Sequence, residues 1–282
     1  AIFKKANGVI LQRGNNVFPH TYSAFGIPGD KFLPVDFKLK LLIDPTPKYF
    51  GRQLKSDLKK YDKILLIHGC EPPDVNNIKA EVISYGNKFT KVYSFDKDVL
   101  GNVPGSELFC FGSCWVAGEK NNYENVFTTN KKFKLSFVRS SKMDLPGHQL
   151  RHNVEHLFDK KHDFELFFPR ERIESKIPLF TDSMFHVAIE NSQHENYFTE
   201  KIIDCFMTYT IPVYWGCTNI SEYFDSNGII QFNTKEELDR ILNDLTIEDY
   251  GKRLEAVKKN YSIAKENYAF FFDRINELIL KL

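Results

Sequence analysis

The residues best suited to chemistry lie close together in residues 185–216, whose pattern predicts a strand, a loop, a helix and a second strand. The loop brings Thr199, Glu200 and Lys201 to the N-terminus of the helix. Open α/β sheets bind ligands where a strand ends and a helix begins, and the free backbone N–H groups there suit a phosphate. A lysine in the first helical turn is unfavourable unless an anion neutralises it. A solvent-exposed Glu–Lys pair on an ordinary surface helix explains the same residues equally well.

This helix is expected to run from about residue 199 to 209 and to bury one apolar face. Its polar residues, among them Asp204 and Thr208, then point away from that face. The apolar face is formed by residues at spacings of four, four and three: Phe198, Ile202, Phe206 and Tyr209.

Alternating strands and helices must hold this stretch in place. The part of the chain before residue 118 contains runs that predict strands at 8–12, 39–43, 63–67, 91–95 and 107–111 and helices at 52–61 and 76–86. Residues 118–130 are polar, have no sustained period and are the best candidate for a linker. The later part predicts strands at 133–139, 164–168, 185–190, 211–215 and 228–232, and further helices at 146–160 and after residue 234.

The alternation predicts an α/β fold with parallel sheets covered on both faces. We divide it into two Rossmann-like domains, residues 1–125 and 126–282, that face a central cleft. Thr234 and Thr246 begin capping-box patterns, and the segment after Thr246 is long enough for two helices. The terminal helix is a candidate to pack back on the first domain.

The composition is that of a globular chain, with 42% hydrophobic and 27% charged residues, which argues against disorder. Lys and Arg number 38 against 37 Asp and Glu, so a net charge of +1 offers no bulk field for nucleic acid or an anionic membrane. Because neither a membrane span nor a secretion signal is recognisable, we expect a soluble, cytoplasmic protein. An odd number of cysteines in apolar surroundings indicates free thiols: Cys70, Cys110, Cys114, Cys205 and Cys217.

Several spaced blocks resemble glycosyltransferase family 10, the α1,3/4-fucosyltransferases. Glu190-Asn-Ser, Tyr197, Thr199-Glu-Lys and Ile211-Pro-Val-Tyr-Trp-Gly216 resemble the donor-binding signature of that family. The resemblance is specific because the blocks occur in the family's order across roughly residues 60–235. The further blocks are residues 92–100, 111–115, 134–142 and 147–151.

The resemblance implies a GT-B fold, a nucleotide-sugar donor on the C-terminal domain and inversion at the anomeric carbon. It places Arg151 and Lys201 on the diphosphate, Glu200 and Asn191 near the ribose, and Tyr197 beside the nucleotide or phosphate. Two preorganised cations stabilise the charge that the leaving nucleoside diphosphate gains, so we expect no cofactor and no Mg²⁺ or Mn²⁺ dependence. GDP-fucose is the leading donor, and the acceptor is a glycan hydroxyl.

Inversion also needs a base that takes the proton of the acceptor hydroxyl. Glu71, in His68-Gly-Cys-Glu-Pro-Pro-Asp74, follows the predicted strand 63–67 and matches the family's Glu followed by a small residue and Pro, although this chain has Pro-Pro where Ser-Pro is common. The prolines would stiffen the loop and hold the carboxylate. His68 and Asp74 are fallback bases, and a carboxylate in an ordinary strand-exit turn is the competing interpretation.

Aspartate, cysteine and histidine residues outside the predicted donor site could in principle bind a metal ion. Asp96-Lys-Asp98 resembles the cation site of GT-A glycosyltransferases and would suit Mg²⁺ or Mn²⁺. It lies in a block that matches family 10, so we interpret it as a solvated helix start. Cys110 and Cys114 lack a second ligand pair at zinc spacing, and Cys110 alternates with Phe109 and Phe111 as a strand residue would. His148, His152 and His156 share a predicted helix face without carboxylate ligands.

Three alternatives stay open at this point. The same fold and mechanism could use a UDP-sugar such as UDP-xylose, because the diphosphate is common to both donors. A metal-dependent GT-A transferase would use Asp96 and Asp98. A non-catalytic homologue would only hold glycans in an aromatic cleft.

Overall fold

We describe the chain in a computed structural model, which places residues 9–13, 16–18, 35–69, 77–116, 128–170 and 173–282. The chain divides into two compact units. The first comprises Ala1–Phe111 together with Phe272–Leu282, and the second comprises Gly112–Phe271. The predicted boundary between residues 125 and 126 falls outside the described residues and stays a prediction.

A mostly parallel sheet forms the first unit, in the order β2-β1-β3-β4-β5-β6. Only β2 runs antiparallel to its described neighbour, at one edge of the sheet. Every residue of β3 is buried, as expected for a parallel strand covered on both faces. The strands are β1 (Val9–Arg13), β2 (Asn16–Phe18), β3 (Leu39–Ile43), β4 (Lys63–His68), β5 (Lys91–Ser94) and β6 (Glu107–Leu108).

Short helices connect these strands and cover the sheet. The core of the unit joins strand residues such as Leu42 and Leu66 to the helix residues Leu54, Val82 and Val99. The helices are α1 (Arg52–Asp57), α2 (Lys79–Tyr85) and α3 (Lys97–Asn102). The sequence predicted only the start of the short helix α3, at Asp96-Lys-Asp98.

A fully parallel sheet forms the second unit, in the order β11-β10-β9-β7-β8. The chain moves from β7 to β8 on one side and then returns to place β9 on the other side of β7. This reversal makes a topological switch point between β7 and β9, where open α/β sheets bind their ligands. The strands are β7 (Lys132–Ser136), β8 (Glu165–Phe167), β9 (Ser183–Ile189), β10 (Ile211–Trp215) and β11 (Ile230–Gln231).

Helices also surround the second sheet, and both predicted capping boxes are present. Thr234 Oγ1 accepts from the Glu237 N–H at 3.1 Å, and Asp249 Oδ2 accepts from the Thr246 N–H at 2.9 Å. The core of this unit includes Phe137, Phe185 and Val213. The helices are α4 (Pro146–Val154), α5 (Ile177–Phe180), α6 (Glu200–Met207), α7 (Lys235–Asp244) and α8 (Ile247–Asn267).

A last helix, α9 (Phe271–Leu280), follows α8, so the prediction of two terminal helices is confirmed. From residue 272 onward it belongs to the first unit. There the Arg274 guanidinium donates to the Cys110 carbonyl at 2.7 Å and lies 4.2 Å from the ring centroid of Phe109.

The α/β class is confirmed, whereas three local expectations were wrong. The predicted strand 107–111 stops at Leu108 because its partner β5 stops at Ser94. Phe109, Cys110 and Phe111 are therefore consecutive buried residues that do not alternate.

The predicted helix 146–160 is α-helical only to Val154 and continues as a 3₁₀ helix over Glu155–Asp159, so the three histidines do not share one α-helical face. In α6, Asp204 and Thr208 are fully buried because the helix is covered on its polar side as well.

Within the described part of the chain, Cys110, Cys114, Cys205 and Cys217 are buried thiols that form no disulfide, as predicted. Cys70 lies outside the described residues.

Candidate functional site

A cavity of about 630 Å³ lies in the second unit at the switch point between β7 and β9. The loop after β7, residues 138–142, forms one wall, and the carboxyl half of β9 forms the floor. The first turns of α6 and residues of α5 close the remaining sides. A volume of this size is typical of small-molecule sites.

Cationic side chains outnumber acidic ones in the lining, although the chain as a whole is nearly neutral. Two acidic residues, Glu200 and Asp204, accompany them. Glu155 accepts hydrogen bonds from two of the cations, Arg139 and Arg170, and so compensates part of the charge. Such a lining suits an anionic ligand. The six cations are Arg139, Lys142, Arg151, Arg170, Lys176 and Lys201.

Arg151 reaches the cavity from α4 and is only 7% exposed. Its Nε and Nη2 donate to the Ile189 carbonyl at 3.1 and 2.6 Å, and Nη2 also donates to Asn191 Oδ1 at 2.9 Å. The guanidinium is therefore fixed against the end of β9. Gly147, one turn earlier on α4, permits this approach, because a Cβ there would lie 1.7 Å from the Glu190 carbonyl oxygen.

Glu190 organises the entry to α6 and is completely buried. Its Oε1 accepts from the Thr199 N–H at 2.9 Å, and its Oε2 accepts from the Thr199 hydroxyl at 2.6 Å. Lys201 Nζ lies 3.4 Å from the same carboxylate, which supplies the buried countercharge. We assigned Glu190 no role from the sequence. A carboxylate placed directly after a seven-residue buried strand was the available signal.

The first turn of α6 carries an ionised carboxylate. Lys201 Nζ lies 3.3 Å from Glu200 Oε1, and Lys176 Nζ lies 3.4 Å from the same oxygen. Burial opposes ionisation, but the attraction of Lys201 and Lys176 outweighs it and lowers the pKa of Glu200 to about 2. Glu200 is therefore an acceptor of hydrogen bonds at neutral pH.

Two further charged residues of the cavity were not predicted from the sequence. Lys176 Nζ lies 3.3 Å from Asp204 Oδ2 as well as beside Glu200. Burial lowers the pKa of a lysine, but the two carboxylates reverse this effect and raise the pKa of Lys176. The spacing of four between Glu200 and Asp204 placed both on one side of a helix, which was the signal for a shared cation.

The cavity also contains a neutral histidine on its floor. Burial, and then the charge of Lys176, lower the pKa of His186 to about 3. Its Nδ1 lies 2.7 Å from the Ser136 hydroxyl. His186 therefore adds no charge to the cavity at neutral pH.

The structure brings most of the predicted donor-binding residues together. Arg151, Glu200 and Lys201 line the cavity, and Asn191 is bonded to Arg151. Tyr197 is 1% exposed, packs edge-on against His194 with ring centroids 6.2 Å apart, and does not line the cavity.

The predicted base and its surroundings can be located only in part. Glu71 and the fallback Asp74 lie outside the described residues. The other fallback, His68, is buried, and its Nδ1 lies 2.9 Å from the Ser94 hydroxyl. Burial lowers the pKa of His68.

Asp96 and Asp98 are engaged in local structure. Asp96 is the N-cap of α3, where its Oδ1 accepts from the Asp98 and Val99 N–H groups at 2.9 and 3.2 Å. Lys79 Nζ lies 2.9 Å from each of the two carboxylates. These contacts explain both residues as a helix start; Asp98 is exposed as expected, whereas Asp96 is buried. Within the described ranges, no group of three or more His, Cys, Asp or Glu residues is arranged to hold a metal ion.

None of the helices formed by the described residues combines the length and the apolar composition that a bilayer crossing requires.

Comparison with known proteins gives a match over a segment that includes most of the cavity lining. Residues 148–263 match the family model described as glycosyltransferase family 10 (fucosyltransferase) C-term. The alpha-(1,3)-fucosyltransferase FucT of Helicobacter pylori is 29% identical over 89 residues, which cover 32% of this chain and 17% of that protein. The 4-galactosyl-N-acetylglucosaminide 3-alpha-L-fucosyltransferase 9 of Mus musculus is 31% identical over 74 residues, 24% of this chain and 21% of that protein.

The matched regions thus span about a fifth of the length of these relatives. A crystal structure of an alpha1,3-fucosyltransferase is also similar, with 18% identity, a TM-score of 0.47, and coverage of 86% of this chain and 75% of that chain. The resemblance to family 10 is confirmed by the family model and the two relatives.

Proposed function

We propose that the chain transfers a sugar from a nucleotide-sugar donor to a glycan hydroxyl, with GDP-fucose as the leading donor, because residues 148–263 match the model of the family 10 C-terminal domain. The observation that carries the proposal is the cationic cavity at the switch point of the second sheet, which contains Arg151 and Lys201. Both residues lie inside the matched segment.

The proposed chemistry needs positive charge where the nucleoside diphosphate leaves. As the bond between the anomeric carbon and the phosphate oxygen breaks, that oxygen gains negative charge, and fixed cations stabilise it. Arg151 is held by Ile189 and Asn191 through Nε and Nη2, and among the described residues its Nη1 has no hydrogen-bond partner, which leaves a donor for the diphosphate. Lys201 supplies a second cation from the first turn of α6. Since two cations serve the leaving group, we expect transfer to proceed without an added metal.

Glu71 is the proposed base, on the strength of the sequence resemblance alone. The acceptor oxygen attacks the anomeric carbon from the face opposite the diphosphate, and Glu71 takes the hydroxyl proton, so the configuration inverts. The ionised Glu200 is the proposed acceptor for the ribose hydroxyls. Asn191, which accepts from Arg151 at 2.9 Å, is the second residue proposed near the ribose. The place proposed for Tyr197, beside the nucleotide or phosphate, rests on the sequence resemblance alone, because Tyr197 does not line the cavity.

Donor identity is tested by a thermal-shift panel of GDP-fucose, GDP-mannose, UDP-xylose, UDP-galactose and UDP-glucose. A ligand at 100 times its Kd adds about 2.7 kcal/mol to the free energy of unfolding, so GDP-fucose should raise the Tm by about 5 °C or more. Lys201→Met should remove most of this shift. Lys258→Met, which removes an exposed lysine of α8, is the matched control and should retain it.

The panel separates the proposal from its alternatives. A rise in Tm with UDP-xylose alone would show that the donor is a UDP-sugar instead of GDP-fucose. Absence of any nucleotide effect, together with binding of a glycan, would support a glycan-binding homologue. Activity lost in excess chelator would support the metal-dependent transferase.

The base is tested by paired variants at Glu71 and Asp74. Glu71→Gln should abolish fucosyl transfer while the Tm shift by GDP-fucose stays at the wild-type value, because a base contributes to the reaction and not to donor binding. Asp74→Asn should keep transfer. The acceptor named for the Mus musculus relative, a 4-galactosyl-N-acetylglucosaminide, is the first to try. Full turnover by Glu71→Gln, or its loss only in Asp74→Asn, would overturn the assignment.

A further inference from the structure

Lys176 lines the cavity together with Arg151 and Lys201, but the family resemblance gives it no role. We propose that Lys176 is a positioning residue, which fixes the Glu200 carboxylate so that the ribose hydroxyls of the donor contribute to binding. The inference rests on the proposed function and deepens it, since it concerns the nucleoside part of the donor. Three features of the structure support it.

The first feature is the position of the ammonium group between two carboxylates. Lys176 Nζ lies 3.4 Å from Glu200 Oε1 and 3.3 Å from Asp204 Oδ2. Glu200 and Asp204 are one turn apart on α6, whereas Lys176 comes from the segment that precedes α5. The lysine therefore joins two consecutive turns of α6 from outside the helix.

The second feature is that Asp204 cannot turn away. It is fully buried, and its Oδ1 accepts from the backbone N–H groups of Trp115 at 2.8 Å and Val116 at 3.2 Å. With one carboxylate oxygen held by the backbone, the other is aimed at Lys176. Asp204 thus holds the Lys176 ammonium in place, and the ammonium in turn fixes the position of the Glu200 carboxylate.

The third feature is the contact that holds the lysine from another side. Its Nζ lies 4.5 Å from the ring centroid of Trp115, a cation–π distance. An ammonium fixed by two carboxylates and a ring does not move freely to follow a phosphate. Lys201 differs because it lies in the first turn, where free N–H groups favour an anion.

Loss of the cation has a defined consequence. Without Lys176, the carboxylates of Glu200 and Asp204, one turn apart on α6, repel each other. Burial already raises the pKa of Asp204, so Asp204 is the group that takes up a proton, while Trp115 and Val116 keep it in place. Glu200 loses the contact that fixes its orientation and, of its two lysine neighbours, keeps only Lys201. The diphosphate should still contribute to the binding affinity of the nucleotide, because Arg151 and Lys201 are unaltered.

The experiment compares two nucleotides by calorimetry on the whole chain. GDP carries the ribose hydroxyls, and 2′,3′-dideoxy-GDP lacks them but keeps the diphosphate. Hydrogen bonds to a charged group predict that the wild type binds GDP about 10-fold more tightly than the dideoxy compound. Lys176→Met should reduce this preference to about 3-fold or less, because a misplaced carboxylate forms weaker hydrogen bonds. Lys176→Arg keeps the charge and should retain the preference. The exposed control Lys258→Met should behave as the wild type.

A double-mutant cycle tests whether Lys176 acts through Glu200. Glu200→Gln alone should lose the preference for GDP, and adding Lys176→Met should change it no further, because both variants remove one shared interaction. Dideoxy-GDP affinity should stay within about 3-fold of wild type in Lys176→Met, which shows that the diphosphate site is intact.

The outcomes distinguish the two proposals. If the wild type binds neither nucleotide, the proposed function is overturned and this inference falls with it. If the wild type binds GDP and Lys176→Met keeps the full preference, the inference alone is overturned. Equal losses for GDP and dideoxy-GDP would make Lys176 a diphosphate ligand or a structural residue, and additive effects in the double variant would show that it does not act through Glu200.

Discussion

Replacing Gly147 with alanine should damage the candidate site through the backbone. The added Cβ would lie 1.7 Å from the Glu190 carbonyl oxygen and 2.8 Å from its carbonyl carbon. Backbone atoms cannot rotate out of the way as a side chain can. To restore an ordinary contact distance, α4 must move from the end of β9 by about 1.5–2 Å.

That movement separates contacts that lie on the same surface of α4. The Gly147 N–H donates to the Asn191 carbonyl at 2.9 Å, and Arg151 donates to the Ile189 carbonyl and the Asn191 side chain at 2.6–3.1 Å. Overpacking costs about 1–3 kcal/mol, and a weakened hydrogen bond of a charged group costs about 1.5–3 kcal/mol. Because the two effects share one displacement, we expect a loss of about 3 kcal/mol in the free energy of unfolding.

Urea unfolding, monitored by tryptophan fluorescence, measures this loss of stability. Calorimetry measures the affinity for GDP, which should fall by about 10-fold or more because Arg151 moves with the helix. Gly251→Ala is the matched control. Gly251 lies inside α8 with no atom within 4 Å of an added Cβ, so alanine there should raise the free energy of unfolding by about 0.5–1 kcal/mol. A Gly147→Ala protein with wild-type stability and wild-type GDP affinity would refute the reasoning.

Three further predictions concern stability. Asp57→Ala leaves the buried Lys40 ammonium without its carboxylate and removes the acceptor of the Tyr49 hydroxyl, so the urea midpoint should fall by an amount equivalent to about 3–5 kcal/mol; a loss below 1 kcal/mol would contradict a buried pair. Thr234→Ala removes the capping box of α7 and should cost about 1 kcal/mol in the same assay, with no cost expected if the helix start is held by other contacts. Burial lowers the pKa of Lys131 to about 7 from the ordinary 10.5, so between these pH values the unfolded chain binds the additional proton and stability rises with pH. Relative to Lys131→Met, the wild type should therefore gain about 2 kcal/mol between pH 7 and 9, and a flat difference would show that the lysine stays charged.

The sequence alone determined those features that depend on neighbours along the chain. Apolar runs located β3, β4 and β10, because a fully buried parallel strand is continuously hydrophobic. The capping box at Thr234 was predictable because the residues that satisfy the free N–H groups lie within one turn. The spaced blocks around Arg151 and Lys201 also sufficed to indicate the resemblance to family 10, whose model matches residues 148–263.

Only the tertiary structure decided how distant charges meet. Lys176 pairs with Asp204 across 28 positions, and Asp204 accepts from the Trp115 N–H across 89 positions. The spacing of Glu200 and Asp204 indicated a shared cation, but no local pattern shows which residue supplies it or which N–H groups Asp204 accepts from. The amphipathic period of α6 suggested a solvent-facing Asp204, which is in fact fully buried. The order of the strands places the loop after β7 beside the end of β9, and that order follows from long-range pairing. A hydrophobic period predicts only whether a residue is buried. The partner of a buried charge depends on the packing of segments that are remote in sequence.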